Sequence, residues 1–385
     1  MLLDLVIVGA GPVGATLALA LRDGEMEIVA LDARPRGGSA RGDRSLALSH
    51  GTRLVFERLG IWGEVASGTD AVTPIAAIDI SQRGGFGHVR LDAAEHDLPA
   101  LGYVVSYRAL QSALDSALAR SGIRVEHDVD VTRVDATPAF AEVRGKRHGE
   151  DVEWTTRLAA VADGGGDVVR LRRRRHDYRQ VALVAKVWTR QAHRGVAFER
   201  FTPEGPIALL PEGDHYGLVW TATPERAQDL IELPEGAFLA ALATSFGPRI
   251  RGFARVEGRR SFTLALDLAD HVVAERVVLV GNAAQALHPV AGQGFNLGIR
   301  DAFELAQELL ATPRVQIGAR ARLAGYARRR RADRWSGISF THGLLGIFGA
   351  DSPLLHWPRG LALTLLDALP PVKRAFTRAM LYGLH

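Results

Sequence analysis

The chain has 385 residues, of which 47% are hydrophobic and 23% are charged, and its formal net charge is +4. This length accommodates two domains, or one domain with a large insertion, and the composition is ordinary for a globular protein with a sizeable core. Because cysteine is absent, disulfide bonds, thiolate catalysis, cysteine-ligated zinc and iron–sulfur clusters are excluded. We expect neither a metal site nor a nucleic-acid partner.

The N-terminal segment bears on the localisation of the protein. It is apolar, but Asp4 stands where a secretory signal peptide would carry positive charge. No uninterrupted apolar run approaches the roughly 18–20 residues that are needed to span a bilayer. We therefore expect a cytoplasmic protein, and a peripheral position at the inner membrane remains open.

The first forty residues read as a strand, a helix and a second strand. Leu3–Val8 is an apolar run suited to a buried strand, Val13–Arg22 continues at helical spacing, and Glu27–Asp32 is a second strand. This βαβ order predicts the opening of an α/β domain.

A glycine-rich turn, GAGPVG at residues 9–14, connects the first strand to the first helix. In such a GxGxxG turn, Gly9 permits the tight bend, Gly11 lets a pyrophosphate approach the backbone, and Gly14 lets the helix pack close to the strand. Asp32 ends the second strand at the offset expected for a carboxylate that binds a ribose hydroxyl. The pattern predicts a dinucleotide site but does not decide between FAD and NAD. Its candidate residues are Gly9, Gly11, Pro12, Val13, Gly14, Asp32, Ala33 and Arg34.

The middle of the chain changes character. Ser106–Arg120 is predicted as a capped amphipathic helix, and Ile123–Val134 as a following strand. Short strand-like runs separated by Gly, Pro, Glu and Asp then predict an inserted antiparallel sheet. These runs are Val181–Trp188, Val196–Phe201, Ile207–Leu210 and Tyr216–Thr221.

The run Arg172–Arg175 precedes that sheet. A solvated turn is the interpretation that the run favours. Contact with the phosphates of a nicotinamide cofactor, or with lipid headgroups, is the alternative.

A second glycine-rich segment follows late in the chain. Arg276–Gly281 is predicted as a buried strand, residues 292–294 as a tight loop, and Gly294–Leu310 as a helix. The N–H groups at the start of that helix could face an anionic group held at the loop.

Three motifs in order resemble the flavoprotein aromatic hydroxylases of the p-hydroxybenzoate hydroxylase type. They are the turn at 9–14, the central Asp163-Gly164 with Arg170 following, and the segment 281–298. Further stretches are similar to the ubiquinone-biosynthesis hydroxylases, and in particular to the 2-octaprenyl-6-methoxyphenol hydroxylases. These stretches are 44–49, 59–62, 198–206, 209–211 and 281–301.

The resemblance implies an α/β fold with a Rossmann-like FAD-binding domain of the p-hydroxybenzoate hydroxylase type. It also implies an inserted antiparallel-sheet substrate domain and a C-terminal helical tail. We place the FAD-binding domain at 1–75, 100–175 and 263–334, the substrate domain at 76–99 and 176–262, and the tail at 335–385.

The same resemblance assigns cofactor contacts beyond the first turn. Arg44 and Arg108 are expected near the FAD diphosphate, and Asn282 stands where the wider family more often has aspartate. His288 is a weak candidate for a catalytic base, since its position suits loop packing equally well. The remaining candidates are Asp163, Gly164, Gly281, Pro289, Gly292, Gln293, Gly294, Phe295 and Asn296.

The implied reaction is the hydroxylation of a polyprenylated phenol by dioxygen in ubiquinone biosynthesis. NAD(P)H, bound transiently, or another reductant would reduce FAD, and a flavin C4a-hydroperoxide would deliver the oxygen atom. Phe201 and Trp220 are weak candidates for a substrate channel, because an aromatic residue in a sheet is more often core.

Three alternatives stay open at this point. The enzyme could hydroxylate another aromatic substrate or ring position, or the chain could be a flavin-binding assembly partner of a quinone-biosynthesis complex. An NAD-dependent dehydrogenase would explain only the first motif and leaves segment 281–298 without a role.

The C-terminal tail is rich in Leu, Phe and Gly. Its apolar side chains, with Arg328–Arg331 just before them, could dock on a membrane surface or could pack on the body of the protein. Glycines at 337, 343, 346 and 349 weigh against a helix here. The apolar side chains in question are Ile338, Phe340, Leu344, Leu345, Ile347 and Phe348.

Overall fold

The computed structural model describes residues 2–38, 44–67, 72–250, 252–287, 292–349 and 353–383, without the side chains of 340–349 and 353–356. Its strands, in chain order, are β1 (Leu2–Val8), β2 (Ile28–Leu31), β3 (Ser45–Ser49), β4 (Thr73–Ile75), β5 (Ala77–Gln82), β6 (His88–Asp92), β7 (Gly102–Ser106), β8 (Arg124–Glu126), β9 (Val129–Ala136), β10 (Ala141–Arg147), β11 (Glu150–Val161), β12 (Arg173–Thr189), β13 (Val196–Thr202), β14 (Gly205–Glu212), β15 (His215–Ala222), β16 (Phe253–Ala269), β17 (Val273–Ala274), β18 (Val277–Leu279) and β19 (Gln285–Ala286).

The α-helices alternate with these strands and then form the C-terminal region. They are α1 (Pro12–Ala20), α2 (His50–Arg58), α3 (Trp62–Ser67), α4 (Tyr107–Ser121), α5 (Pro224–Glu232), α6 (Glu235–Phe246), α7 (Gln293–Leu310), α8 (Arg320–Gly349), α9 (Pro353–Ala368) and α10 (Pro370–Tyr382). Within the described ranges, no helix is long and apolar enough to cross a membrane.

Strand β1 lies at the centre of a parallel sheet, with β2 and then β8 on one side and β11 and then β18 on the other. Its side chains are buried on both faces, which explains its continuous apolar sequence. Leu5 and Ile7 pack with α1, α4 and α7, while Val6 and Val8 pack with β9 and β10. The carboxyl end of β1 therefore lies between two packed layers, and the chain continues from there into the turn before α1.

A second sheet has the strand order β19-β16-β12-β15-β14-β13-β5-β6. Its pairs are antiparallel except for β13 and β5, which run parallel, so the predicted antiparallel sheet is in fact mixed. One face carries the apolar side chains of α5 and α6. A small third sheet has the strand order β3-β7-β4.

Helix α4 begins as its sequence predicts. The hydroxyl of Ser106 caps it by accepting a hydrogen bond from the Ala109 N–H at 3.2 Å. The predicted strand Ile123–Val134 is two strands, β8 and β9, because Asp128 between them adopts a left-handed conformation with φ of 59°.

The arginine run at 172–175 is not the solvated turn that the sequence favoured. Arg173, Arg174 and Arg175 begin β12, and their guanidinium groups pair with carboxylates of neighbouring segments. The partners are Asp267 on β16 and Asp270 just beyond it. The run extends the strand because each arginine meets an acidic neighbour across the sheet.

The glycines of the tail do not prevent a helix. Helix α8 runs through Gly337 and ends at Gly349, although each interior glycine costs about 1 kcal/mol relative to alanine. The packing of α8 on α7 compensates, since Tyr326 and Arg330 of α8 are fully buried there. The predicted domain bounds stay a prediction; β12 crosses the bound at 175–176 and β16 crosses the bound at 262–263.

Candidate active site

The turn at residues 9–14 has two glycines that packing requires and one that it leaves free. A Cβ atom on Gly9, whose φ is +97°, would lie 2.7 Å from the Ala162 carbonyl oxygen, and one on Gly14 would lie 1.9 Å from the Gly9 carbonyl oxygen. A Cβ atom on Gly11 would meet no protein atom within 4 Å. Gly9 and Gly14 therefore close the turn against the sheet, and Gly11 borders open space.

Helix α1 presents its N-terminus to that space. Gly11 is the N-cap and Pro12 occupies the first turn, which contains no acidic side chain. The first N–H groups of a helix lack partners within the helix, and its dipole favours negative charge at this end. A diphosphate fits this end of α1.

Asp32 lies at the end of β2, as predicted, but its carboxylate is engaged. It accepts hydrogen bonds from the Arg34 backbone N–H at 2.8 Å and from Arg34 Nη2 at 2.7 Å. Arg34 Nη2 also donates to the Ala10 carbonyl oxygen at 3.1 Å, which ties this arginine to the glycine-rich turn. A ribose that binds Asp32 must therefore share the carboxylate with Arg34 or displace it.

The late glycine segment packs directly against the first turn. Gly281 follows β18 with φ of +61°, and a Cβ atom there would lie 3.1 Å from the Val13 side chain. A Cβ atom on Gly298 of α7 would lie 3.1 Å from the Gly281 Cα atom. These close approaches join the two motifs, which are far apart in the chain, into one site.

Asn296 fixes the loop before α7 against β3. Its side-chain oxygen accepts hydrogen bonds from the Ser49 N–H and the Thr52 hydroxyl, both at 2.8 Å. Its side-chain nitrogen donates to the carbonyl oxygens of Ala47 at 3.0 Å and Gly292 at 2.8 Å. The carboxamide has two donors and can accept two bonds, so Asn296 is saturated by the protein and acts by positioning the loop.

A network of buried charged side chains connects α7 to the segment after β18 and to α8. Asp301 of α7 accepts hydrogen bonds from the Gly281 N–H at 3.3 Å, from Gln285 Nε2 at 2.6 Å and from Arg330 Nε at 2.7 Å. Arg330 also pairs with Glu304 and Asp333. Burial lowers the pKa of Arg330, but the surrounding carboxylates raise it further, so the guanidinium is charged. The pairing of Asp301 with Arg330 does not follow from the sequence, because the two residues lie on different helices.

The central motif is fastened to the turn that follows β18. Asp163 accepts hydrogen bonds from the N–H groups of Gly165 at 3.1 Å and Gly166 at 2.8 Å. Arg173 donates to the Ala283 carbonyl oxygen at 2.7 Å and pairs with Asp267. The exposed Asp163 also lies beside Gly9, because a Cβ atom on Gly9 would be 2.9 Å from the Asp163 Cα atom.

A large cavity of about 2270 Å³ lies between the small third sheet, the second sheet and the C-terminal helices. Residues from the segments that follow β2 and β18 also line it. One part is polar, with Arg34, Arg44 and the loop at 292–294. Arg44 stacks over the ring of Tyr107 at 4.8 Å from the ring centroid. The predicted residues that line the cavity are Ala33, Arg34, Arg44, Phe201, Asn282, Gly292, Gln293, Gly294, Phe295 and Asn296.

The other part of the cavity is apolar. The face of the second sheet that lacks α5 and α6 contributes small and aliphatic side chains, and helices α9 and α10 close it with Leu363, Leu366, Phe376 and Met380. The sequence does not predict that α9 and α10 form part of the cavity wall, because it does not indicate which part of the protein these helices pack on.

The remaining predicted residues that the structure describes do not line the cavity. Trp220 lies on the opposite face of the second sheet, where it packs edge-to-face on Phe238 in the core. Arg108 is exposed at the start of α4. His288 and Pro289 lie outside the described residues. The others not lining the cavity are Gly9, Gly11, Pro12, Val13, Gly14, Asp32, Asp163, Gly164 and Gly281.

Known proteins with the same sequence pattern and fold bear directly on this site. The profile of the FAD binding domain family matches residues 3–341. Ubiquinone hydroxylase UbiL of Rhodospirillum rubrum is 33% identical, over 97% of this chain and 88% of that protein. The 3-demethoxyubiquinol 3-hydroxylase of Escherichia coli is 30% identical, over 99% of this chain and 98% of that protein. The solved structure of p-nitrophenol 4-monooxygenase from Pseudomonas putida matches with a TM-score of 0.77 at 18% identity, over 100% and 99% of the two chains.

These similarities confirm the predicted fold class and FAD as the cofactor. They agree with the geometry, because Arg34, which lines the polar part of the cavity, donates to the Ala10 carbonyl oxygen of the first turn, and Gly281 of the late segment packs against Val13 of the same turn. A nicotinamide cofactor as reductant is typical of the family. The chain is an FAD-dependent aromatic-ring monooxygenase and belongs to the family of the ubiquinone-biosynthesis FAD hydroxylases.

Proposed function

We propose that this enzyme hydroxylates the aromatic ring of a polyprenylated phenol in ubiquinone biosynthesis, with dioxygen and NAD(P)H or another reductant. The observation that carries the proposal is the shape and lining of the cavity. A polar part bordered by the flavin motifs continues into an apolar part lined by the second sheet, α9 and α10. An aromatic head with an isoprenoid chain has the same division of polarity.

We assign the diphosphate of FAD to the open space at Gly11, where the N–H groups of α1 favour negative charge. Arg44, in the polar part of the cavity, is assigned to the same diphosphate. Asp32 is the ribose ligand in this proposal. Gln293 and Gly294, at the N-terminus of α7, are assigned to the flavin ring. The chemistry that FAD supplies when bound is the activation of dioxygen. The chain orients the ring and the substrate, and its apolar walls exclude water.

Purified enzyme tests this proposal directly. It is supplied with NAD(P)H, a prenylphenol and isotopically labelled dioxygen, and the product is analysed by mass spectrometry. We expect one labelled oxygen atom on the ring. A yellow protein that oxidises NAD(P)H but never labels the ring would refute the proposal. Quinone profiling of a deletion strain names the ring position, because the substrate accumulates. Pull-down of pathway enzymes with the full chain tests a place in a quinone-biosynthesis complex.

A peripheral contact with the inner membrane is part of the proposal, since the substrate resides there. Of the residues that the sequence offered for such a contact, Ile338 and Arg330 of α8 are buried, and the side chains of Phe340, Leu344, Leu345, Ile347 and Phe348 lie outside the described residues. Helix α9 instead exposes Trp357, Leu361 and Leu365, which are 75%, 54% and 47% exposed and lie four residues apart on one face.

This stripe on α9 lies beside the apolar end of the cavity. The opposite face of α9 lines the cavity through Leu363 and Leu366. Arg374 and Arg378 on the neighbouring α10 are exposed and suit an anionic lipid surface. A lipid surface bound here would place the cavity next to the membrane that holds the substrate.

Co-sedimentation with anionic phospholipid vesicles tests the membrane contact. Changing Trp357, Leu361 and Leu365 together to serine removes the stripe, and we expect at least a ~10-fold weaker partition, since burial of each large apolar side chain stabilises by about 1.5–3 kcal/mol. The matched control is Val315→Ser, a change at a 74% exposed apolar residue outside α9. Equal sedimentation of the serine variant and the control would refute the contact.

A further inference from the structure

Glu199 is a carboxylic acid in the cavity wall whose neighbours are apolar. Glu199 lies on β13, and its cross-strand neighbours are Ile80 on β5 and Ala208 on β14. Two residues before and after it on the same strand are Ala197 and Phe201, whose side chains share its face. All five residues line the cavity. Glu199 is therefore surrounded on its own face by apolar side chains.

The Glu199 carboxyl has no partner that would give it a structural role. Its Oε1 atom is buried, and no hydrogen bond to it is found among the described residues. Burial alone raises the pKa of this carboxyl to about 7. A buried polar group without a partner is destabilising, and groups with strongly perturbed pKa values concentrate at functional sites.

Two other charged groups around the cavity are remote from Glu199, and a third is already paired. Arg260 of β16 lies in the same cross-strand row as Glu199 but four strands away, which is about 19 Å at ~4.8 Å per strand. Lys186 of β12 is three strands away in the neighbouring row. Glu212 accepts a hydrogen bond from Ser45 at 2.6 Å. The further charged residues lining the cavity are Arg34, Arg44, Glu257 and Arg359.

The charges on the reverse face of the sheet do not reach the carboxyl either. Arg200, the next residue along β13, points to the other side and donates to the Ser81 hydroxyl at 3.2 Å. Asp79 of β5 is paired there with Arg249 at 2.9 Å. Burial is accordingly the sole cause of the raised pKa of Glu199.

We propose that Glu199 binds the hydroxyl group of the phenolic substrate and accepts its proton during ring hydroxylation. This inference rests on the proposed function. It makes Glu199, and not His288, the base of the reaction. In the step, the phenol O–H bond breaks and a Glu199 Oε–H bond forms. The electron pair stays on the phenolate oxygen and increases the electron density of the ring carbon that receives oxygen.

The proton balance closes within the site. The ring carbon that gains oxygen loses its hydrogen as a proton, which restores aromaticity, and this proton ends in the water formed from the second oxygen atom of dioxygen. The proton held by Glu199 returns to the phenolate oxygen. Neither transfer consumes an oxidant beyond the dioxygen of the reaction. A carboxyl with a pKa near 7 suits both directions, because it is a stronger base than an ordinary glutamate and is still an acid near neutral pH.

The test compares Glu199→Gln with wild type and with Glu204→Gln. The glutamine is close in shape to glutamate but cannot take a proton. Glu204 is an exposed glutamate in the turn between β13 and β14, so its variant controls for the loss of one negative charge. For each protein we would measure bound FAD, the rate of flavin reduction by NAD(P)H, and hydroxylated prenylphenol per NAD(P)H oxidised, between pH 5.5 and 9.

We expect Glu199→Gln to retain FAD and flavin reduction but to lose about 10²- to 10⁴-fold in the hydroxylation rate. In wild type and in Glu204→Gln the hydroxylation rate should rise with pH through about 7 as Glu199 loses its proton, and in Glu199→Gln this inflection should be absent. If Glu199→Gln hydroxylates at the wild-type rate with the wild-type pH profile, the inference is wrong.

A second variant covers the case in which glutamine fails to fold. Glu199→Asp keeps the carboxylate one methylene further back, and we expect slower hydroxylation that keeps the inflection near pH 7. An aspartate variant with unchanged hydroxylation, or without the inflection, would overturn the role. A wild-type enzyme that hydroxylates no prenylphenol overturns the proposed function instead, and with it this inference.

Discussion

Two glycines of the first turn give a sharp test of the assigned diphosphate site. A methyl group on Gly14 would meet the Gly9 carbonyl oxygen at 1.9 Å, so Gly14→Ala forces the turn apart. Overpacking of this kind costs about 1–3 kcal/mol, and more where backbone must move. A methyl group on Gly11 would meet no protein atom within 4 Å, and Gly11 has φ of −63° and ψ of −179°, which alanine adopts without strain.

The two variants should therefore fail in different ways. Gly14→Ala should lower the free energy of unfolding of the FAD-free protein, measured by urea denaturation. Gly11→Ala should leave that quantity within about 0.5 kcal/mol of wild type, since no contact is lost. It should nevertheless weaken FAD binding about 10- to 150-fold, because displacing the diphosphate forfeits one charge-assisted hydrogen bond worth about 1.5–3 kcal/mol.

The assay is a fluorescence titration of FAD into apoprotein, at fixed ionic strength. Both variants are compared with wild type, and each serves as the control for the other. If Gly11→Ala binds FAD as tightly as wild type, the diphosphate does not lie in the space at Gly11. If Gly14→Ala is as stable as wild type, the close packing of this turn is not what requires glycine there.

Three further changes test the supports of the flavin loop. Asn296→Leu should lower FAD affinity and cost about 1–3 kcal/mol of unfolding free energy, since the buried Ser49 N–H loses its acceptor, the Asn296 side-chain oxygen; wild-type flavin retention in this variant would contradict it. Arg330→Met should cost about 3–5 kcal/mol because it leaves the buried Asp301 carboxylate without its cationic partner, whereas the more exposed pair of Arg329 with Glu308 predicts at most ~1 kcal/mol for Arg329→Met; equal losses by urea denaturation would refute this. Burial raises the pKa of Asp333, but Arg300 and Arg330 lower it further, to below its ordinary value. Its contribution to stability is therefore present above that value, about 3.9, and is lost as the pH falls below it, so an Asp333→Asn variant should show a weaker acid dependence of unfolding than wild type.

The sequence alone determined the local elements of the flavin motifs. The strand, turn and helix at the N-terminus follow from an apolar run, fixed glycine spacing and a proline at the helix start, and the structure has them at Leu2–Val8 and Pro12–Ala20. The Ser106 cap of α4 is equally local. These features depend on residues that are neighbours in the chain, so their physical causes are visible in sequence.

Only the tertiary structure decided which residues meet. The period of two along β13 and β15 puts Glu199 and Phe201 on one face and Trp220 on the other, but it does not say which face borders a cavity. That depends on where α5 and α6 pack and on α9 and α10 folding back over the opposite face. Likewise, Gly281 lies next to Val13 although the two residues are far apart in the chain, and the sequence does not indicate that they meet. Short-range sterics and hydrogen bonding fix the elements, whereas the site depends on long-range packing between them.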